Sequence, residues 1–319
     1  MKPRISVALA CYKGKPYIKE QLESIWKQTL LPFEVIIVDD ASPDDTLSYV
    51  SELVAQAPIP TRLLSAANNQ GSTATFGQAI QACQGDWIAL ADQDDVWLPH
   101  KLQTLLSQAL KEGRQAIFSD AELVNRDLEP LGHRLWENSR FDSRMKRAFG
   151  EDAFAALLRY NVVTGATLLF NASRKDLFQQ IPSPWIHDYW IALTFAAQAS
   201  LGYCTDVLLL YRQHGQNQIG QKPGFAGEWN VAQAKAANLY LEEAAQFASL
   251  AAYLQSSGIP LQPKVLTQLQ EKCRFLESRF TMRQRGHLRV LTWLKNVLGF
   301  RYFRYGQGWR PLLKDLLLP

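Results

Sequence analysis

An apolar run, Ile88-Ala89-Leu90-Ala91, leads straight into Asp92-Gln93-Asp94-Asp95, placing three carboxylates within four positions. Like charges this close repel unless a cation or hydrogen-bond donors offset them. Hard divalent ions favour such oxygen ligands, and Mg²⁺ takes one or two carboxylates while phosphate oxygens complete its shell. The same residues also read as an acidic turn ahead of a helix that starts near Pro99. Another carboxylate, Asp188, follows His187 at a predicted helix start, behind Pro182-Ser183-Pro184-Trp185. There it can take a proton from a substrate hydroxyl or simply cap the helix. Tyr211-Arg212-Gln213-His214-Gly215 closes a further apolar run with a guanidinium and an imidazole. Such groups suit phosphate oxygens or a metal ion, and as isolated residues they are more often structural.

These side chains need elements to carry them. Up to about residue 120 the chain alternates short apolar runs with amphipathic stretches, the pattern of βα units around a largely parallel sheet. Strands are predicted at Ile5 to Ala10, Glu34 to Asp39, Thr61 to Ser65 and Trp87 to Ala91, with a helix over Tyr17 to Gln28. Ser42-Pro43-Asp44-Asp45 predicts a helix start with Ser42 as N-cap, Pro43 in the first turn and Asp45 completing a capping box. Ligands of open α/β sheets gather beyond the carboxyl ends of the strands. Asp39 and Asp92 each follow a strand directly, so both are expected on one crevice. Gly165 to Phe170 and Asp206 to Tyr211 read as later strands, and Tyr189 to Leu201 as a buried helix opened by His187-Asp188. After about residue 222 strand signals stop, and Ala-, Leu- and Gln-rich helical sequence follows.

Composition bounds the class. The 319 residues are 47% hydrophobic and 20% charged, which is globular rather than disordered and leaves one or two domains open. Four scattered cysteines without a C-x-x-C pair point to a reduced, cytosolic compartment. The N-terminal apolar run is too short for a signal-peptide core, and no window is apolar enough to cross a bilayer. Neither G-x-G-x-x-G nor the P-loop pattern occurs, which argues against a dinucleotide site or a P-loop ATPase. Charge is concentrated at the end of the chain: nine Lys and Arg between Arg279 and Pro319 face one acid, Asp315. There Arg289, Lys295, Arg301, Arg304 and Arg310 alternate with Leu291, Trp293, Leu294, Leu298, Phe300 and Trp309. This stretch reads as a helix lying on an anionic membrane surface or as one packed on the protein with a solvated basic face. No nucleic-acid-binding signature accompanies the charge, so nucleic acid is not an expected partner.

Six pieces in order carry a family resemblance: Ser6-Val7-Ala8-Leu9-Ala10-Cys11-Tyr12, the stretch from Val38 to Thr46, Asp92-Gln93-Asp94-Asp95-Val96-Trp97, Thr164-Gly165-Ala166, His187-Asp188-Tyr189-Trp190, and the stretch from Tyr211 to Asn217. Together they resemble a family 2 glycosyltransferase of the GT-A fold, most closely the rhamnosyltransferase-like branch that builds bacterial surface polysaccharides. The resemblance implies a catalytic domain over 1–222, with a Rossmann-like, mostly parallel sheet flanked by helices, and a helical region over 223–319. It implies an inverting transfer of a sugar from a nucleotide-diphosphate donor, dTDP-rhamnose or a UDP-sugar, to a hydroxyl of a lipid-linked or growing polysaccharide. Mn²⁺ or Mg²⁺ is the implied cofactor. The implied place of work is the cytoplasm, peripheral on the inner face of the cell membrane.

Carried onto this sequence, the resemblance gives Asp188 as catalytic base and Asp94 with His214 at the metal. Ala10, Tyr12 and Asp39 would hold the base, and Asp40 the ribose side. Asp92 and Asp94 would hold the ribose and the metal-bridged diphosphate, Arg212 with His214 would close over the diphosphate or metal, Gly71 and Gln93 would belong to the donor-binding set, and Gly165 would leave room for the donor sugar or acceptor. In the loop from Asn69 to Phe76, Thr75 stands where relatives often carry Asn. Two other classes compete: a haloacid-dehalogenase-type phosphatase, which also places Asp-x-Asp after a strand, and a non-catalytic nucleotide-sugar-binding scaffold.

Overall fold

The computed structural model describes residues 3–214, 238–284 and 289–317. Two compact units divide it: 1–141, 163–195 and 200–217 form one, and 142–162, 196–199 and 218–319 the other. The expected boundary at 222 lies outside the described residues.

The first unit opens with strand β1 (Ile5–Cys11), helix α1 (Ile18–Trp26), β2 (Glu34–Asp39), α2 (Thr46–Ala55), β3 (Thr61–Ser65), α3 (Ser72–Ala82) and β4 (Trp87–Asp92). All six residues of β2 are buried, as are the first five of β4. Continuous apolar runs, rather than alternating ones, follow from helices covering both faces of a parallel sheet. β3, β2, β1 and β4 lie side by side and parallel. The register pairs Cys11 with Asp39 and Ala10 with Asp92. Both predicted acids therefore stand at the carboxyl ends of the strands flanking β1.

Beyond β4 come β5 (Val96–Trp97), α4 (Lys101–Glu112), β6 (Ala116–Val124), β7 (Pro130–Arg134), α5 (Leu135–Ser139), α6 (Ser143–Glu151), α7 (Ala153–Leu157), β8 (Leu168–Asn171), α8 (His187–Ala196) and β9 (Leu201–Arg212). Here the sheet becomes mixed. β8 is antiparallel to both β4 and β6, β9 runs parallel to β6, and β5 and β7 pair antiparallel with β9 and β6.

Three local expectations change. Ser42 is not a helix cap: its hydroxyl donates to Asp39 at 2.6 Å and accepts from the Lys13 N–H at 2.9 Å. Helix α2 consequently begins at Thr46, after Ala41 has turned the chain with φ of 54°. The predicted strand at Gly165 starts as a single 3₁₀ turn, Gly165–Thr167, before β8. β6, a long strand with Asp120 and Glu122 in its second half, was not anticipated, because those acids interrupt its apolar run.

The second unit holds α6 and α7 with α9 (Asn238–Ser256), α10 (Val265–Gln284), α11 (Arg289–Leu298), α12 (Arg301–Arg304) and α13 (Trp309–Leu317). α9 buries Tyr240, Ala244, Phe247, Leu250 and Leu254, a three-and-four spacing that makes one face of a helix.

At the opposite end of the parallel strands from the acids, the buried Glu34 carboxylate accepts from Ser6 Oγ at 2.7 Å, from the Gln84 N–H, and from Arg62 at 3.2 Å. Glu34→Ala leaves the buried Ser6 hydroxyl and the Gln84 N–H without this acceptor, and one unsatisfied buried group costs about 1–3 kcal/mol. The expected loss of stability is read by denaturant unfolding.

Candidate active site

The carboxyl edge is assembled by backbone groups binding side chains. Asp39 accepts from the Ser42 N–H at 2.9 Å in addition to its hydroxyl, which fixes the turn after β2. Asp40, also buried, accepts from the Gln70 N–H at 2.8 Å and the Gly71 N–H at 2.9 Å. It thereby fastens the loop ahead of α3. Gly71 has φ of 82°, and a Cβ there would meet open space, so backbone conformation, not crowding, calls for glycine. Gln93 donates to the Tyr12 carbonyl at 2.9 Å and accepts from the Tyr12 N–H at 2.8 Å. This pair ties the end of β1 to the acidic turn and leaves the Tyr12 ring exposed. Ala10 is half-buried between the ends of β2 and β4.

The acidic turn itself carries unequal carboxylates. Asp95 is buried, accepts from the Arg212 N–H at 3.1 Å through one oxygen, and has no hydrogen-bond partner among the described residues for the other. Burial first, then the charges of Asp94 and Asp92, hold its pKa well above the ordinary carboxylate range. Asp92 is pushed up to about 7 by burial and by Asp94 and Asp188. Its carbonyl accepts from Gln21 of α1 at 2.8 Å. Asp94 lies with Oδ2 at 2.7 Å from His214 Nε2, and the imidazole stacks on Tyr17 with ring centroids 4.8 Å apart.

Arg212 is buried, and its guanidinium is held by protein groups. It donates to the Asp94 carbonyl at 2.7 Å, to the Arg126 carbonyl and to Glu20, and it lies over the Tyr17 ring. In that geometry it braces the acidic turn.

Asp188 stands in the first turn of α8 and accepts from the Gly165 N–H at 3.3 Å. A Cβ on Gly165 would sit 2.8 Å from His187 Nε2, so any larger residue would push into that ring. The charges of the acidic turn and of Asp188 both reach one group. Burial, followed by the charges of Asp92, Asp95, Asp94 and Asp188, raises the Tyr211 hydroxyl well above its ordinary value. The Cys11 thiol is likewise raised to about 12 by burial, then by Asp39, with Asp94 also contributing. Carboxylates from β2, the β4 turn and α8 thus act on shared neighbours at one edge of the sheet.

Residues 6–179, more than half of the chain, match the family model Glycosyl transferase family 2. The chain belongs to this family. An uncharacterized glycosyltransferase of Nostoc sp., alr2836, is 36% identical over 103 residues, covering 32% of this chain and 32% of that relative. The dTDP-rhamnosyl transferase RfbG of Shigella flexneri is 25% identical over 235 residues, 69% of this chain and 76% of that protein. Among solved structures, the mannosyltransferase PcManGT from Pyrobaculum calidifontis, in complex with GDP-Man and Mn²⁺, is similar with a TM-score of 0.54 at 16% identity, covering 99% of this chain and 79% of that one. The likeness shows a GT-A-type fold. With the family shown, the phosphatase alternative is set aside.

A family 2 site raises the question of a divalent ion. Among the described residues no three His, Cys, Asp or Glu side chains form a cage of protein ligands alone. Asp94 and His214 nevertheless offer one carboxylate oxygen and one imidazole nitrogen side by side. A hard cation whose remaining shell comes from diphosphate oxygens and water needs few protein ligands, so the residues present fit Mn²⁺ or Mg²⁺.

One residue of this edge escaped the sequence analysis, and another was noted there only as the neighbour of Asp188. Lys101, at the start of α4, is fully buried; its ammonium donates to the Ala166 carbonyl and lies 3.7 Å from the centroid of the Trp97 ring. Burial pulls its pKa down to about 7, while Asp95 and Asp92 pull the other way. A lysine opening an amphipathic helix reads as solvated, and nothing local in sequence marks it as an internal counter-charge. His187 is the other: it stacks on Phe76 at 4.1 Å, and neither ring nitrogen has a hydrogen-bond partner among the described residues. Burial lowers its pKa to about 3, which leaves it neutral at physiological pH.

Lys101→Met leaves the acids facing each other without their internal cation. The buried Ala166 carbonyl also loses its donor, and an unsatisfied buried group costs about 1–3 kcal/mol. Denaturant unfolding at neutral pH is expected to show that loss, and an unchanged midpoint would deny Lys101 the counter-charge role.

Proposed function

We propose that this protein is an inverting, metal-dependent hexosyltransferase of surface-polysaccharide assembly. Its donor is a nucleotide-diphosphate sugar, dTDP-rhamnose or a UDP-sugar, and its acceptor is a hydroxyl of a lipid-linked or growing glycan. One observation carries the reading: Asp39 and Asp92 end the two strands that flank β1, His214 lies 2.7 Å from Asp94 in the turn that follows, and the charge of Asp188 reaches Asp92 at the same sheet edge. The name of the Shigella relative supports the dTDP-rhamnose option. The Mn²⁺ and GDP-Man in the solved mannosyltransferase support a metal-assisted nucleotide-sugar donor.

The residues divide the work by position. Asp39 accepts a hydrogen bond from the base edge that uracil and thymine share, since each of its oxygens can accept more than the one bond Ser42 supplies. Exposed Tyr12 offers its ring to the base beside Ala10. Asp40 acts through Gly71, holding the loop that borders the ribose, and Gln93 keeps that border attached to β1. Asp94 with His214 would hold Mn²⁺ or Mg²⁺, which supplies positive charge against the diphosphate as its bond to the sugar breaks. Arg212 braces the turn that aims Asp94. Asp188, oriented by the Gly165 N–H, takes the acceptor proton. The work is placed at the cytoplasmic face of the cell membrane.

Asp188→Asn is expected to lower transfer by about 10²–10⁴-fold, the usual worth of a positioned base, while nucleotide-sugar binding by thermal shift persists. Transfer at the wild-type rate would remove Asp188 from the mechanism, and donor binding without any acceptor-dependent turnover by the wild type would leave a scaffold. Asp94→Ala is expected to abolish the additional thermal shift that Mn²⁺ gives with a nucleotide diphosphate, as measured with and without EDTA.

A further inference from the structure

The C-terminal helices are mounted against the usual rule. A soluble amphipathic helix turns its apolar stripe inward. In α11 the inward positions are Arg289, Trp293 and Asn296, three and four residues apart. Arg289 donates to the Asp315 carbonyl at 2.9 Å, Trp293 Nε1 to the Leu312 carbonyl at 3.0 Å, and fully buried Asn296 to Ser278 Oγ at 2.8 Å. The opposite face carries Val290, Leu291, Leu294 and Leu298, with Leu291 61% and Leu298 77% exposed. α13 repeats the arrangement: Leu312 and Asp315 are buried, whereas Trp309, Leu313 and Leu316, one turn apart, are exposed, Trp309 by 65%.

Rolling the helices over would bury the leucines, but a buried ionic set prevents it. Asp315 accepts from Arg279 of α10 at 2.6 and 2.8 Å and from Tyr302 of α12 at 3.0 Å. Arg279 in turn lies over Tyr240 of α9 at 4.4 Å. Turning Asp315 outward would leave the Arg279 charge buried and unpaired, which is costlier than exposing a leucine. The apolar stripes therefore stay outside, together with exposed Phe300 and the exposed cations Lys295, Arg304 and Arg310.

We propose that these outward stripes of α11 and α13 are a docking face for an anionic lipid bilayer. Aliphatic and Trp side chains enter the headgroup boundary while the flanking Lys and Arg meet lipid phosphates. The excess of cations selects an anionic bilayer over a neutral one, and over a second copy of this chain, whose matching face would carry the same positive charge. No helix among the described residues is long and apolar enough to cross a membrane, so the contact is superficial. The proposal deepens the reading of a lipid-linked acceptor, yet its measurement needs no acceptor.

The full chain is floated with phosphatidylcholine vesicles with and without phosphatidylglycerol, at low and high salt. Wild type is expected to float with the anionic vesicles, less so at high salt and weakly with phosphatidylcholine alone. The surface variant Leu291→Gln, Leu294→Gln, Leu298→Gln is expected to lose partitioning by more than about tenfold, since each leucine removed takes transfer energy with it. Lys295→Glu with Arg304→Glu is expected to lose the preference for anionic lipid. Circular dichroism and the nucleotide-sugar thermal shift of both variants should match wild type. Absence of flotation by wild type overturns the proposal, as does flotation that survives both sets. Self-association on sedimentation that the leucine variant abolishes, without lipid binding, would assign the face to a second copy instead. A chain that turns over donor yet does not float loses this face alone and keeps its transferase reading.

Discussion

Carboxylates crowded at one edge of a sheet set the terms for the whole first unit. Asp92, Asp94, Asp95 and Asp188 all bear on Tyr211, and Asp92 and Asp95 are driven toward their protonated forms by burial and by one another. Such a cluster survives only where donors and cations are built in around it. Lys101 supplies an internal cation from α4, Arg212 braces the turn from the end of β9, and Gly165 offers an N–H to Asp188.

At the same edge several polar side chains are spent on the protein's own backbone. Asp40 secures the loop before α3, Gln93 joins the β1 end to the acidic turn, and Ser42 links Asp39 to Lys13. Each converts a flexible connection after a strand into a fixed wall, because a buried backbone N–H or carbonyl must find a partner. The exposed Tyr12 ring and the Asp94 and His214 pair are then presented on a frame that does not have to reorganise.

In the second unit polarity is inverted for a different reason. Asp315, Arg279 and Tyr302 form a buried ionic set that dictates which faces of α11 and α13 turn inward. The aliphatic stripes are consequently left on the surface beside Lys295 and Arg304. Composition signals a basic, aromatic tail, but only the placement of Asp315 shows that its leucines are outside.

The parallel strands β1 to β4 were legible because a strand buried on both faces is written as an unbroken apolar run, and the acids that end such runs mark the ligand edge. The acidic turn, the His187-Asp188 step and the Tyr211 to His214 stretch stand out in sequence because charged and imidazole side chains interrupt apolar stretches there. Tertiary structure alone decided who neutralises whom. Ser42 reads as a helix cap until Asp39 and Lys13 claim its hydroxyl, nothing in the sequence shows that Glu20 and the Asp94 carbonyl hold the Arg212 guanidinium, and nothing local marks Lys101 as buried. Strand and helix type follow from local periodicity, which the sequence displays. Charge compensation acts between residues distant along the chain, and distance in space is set only once the chain has folded.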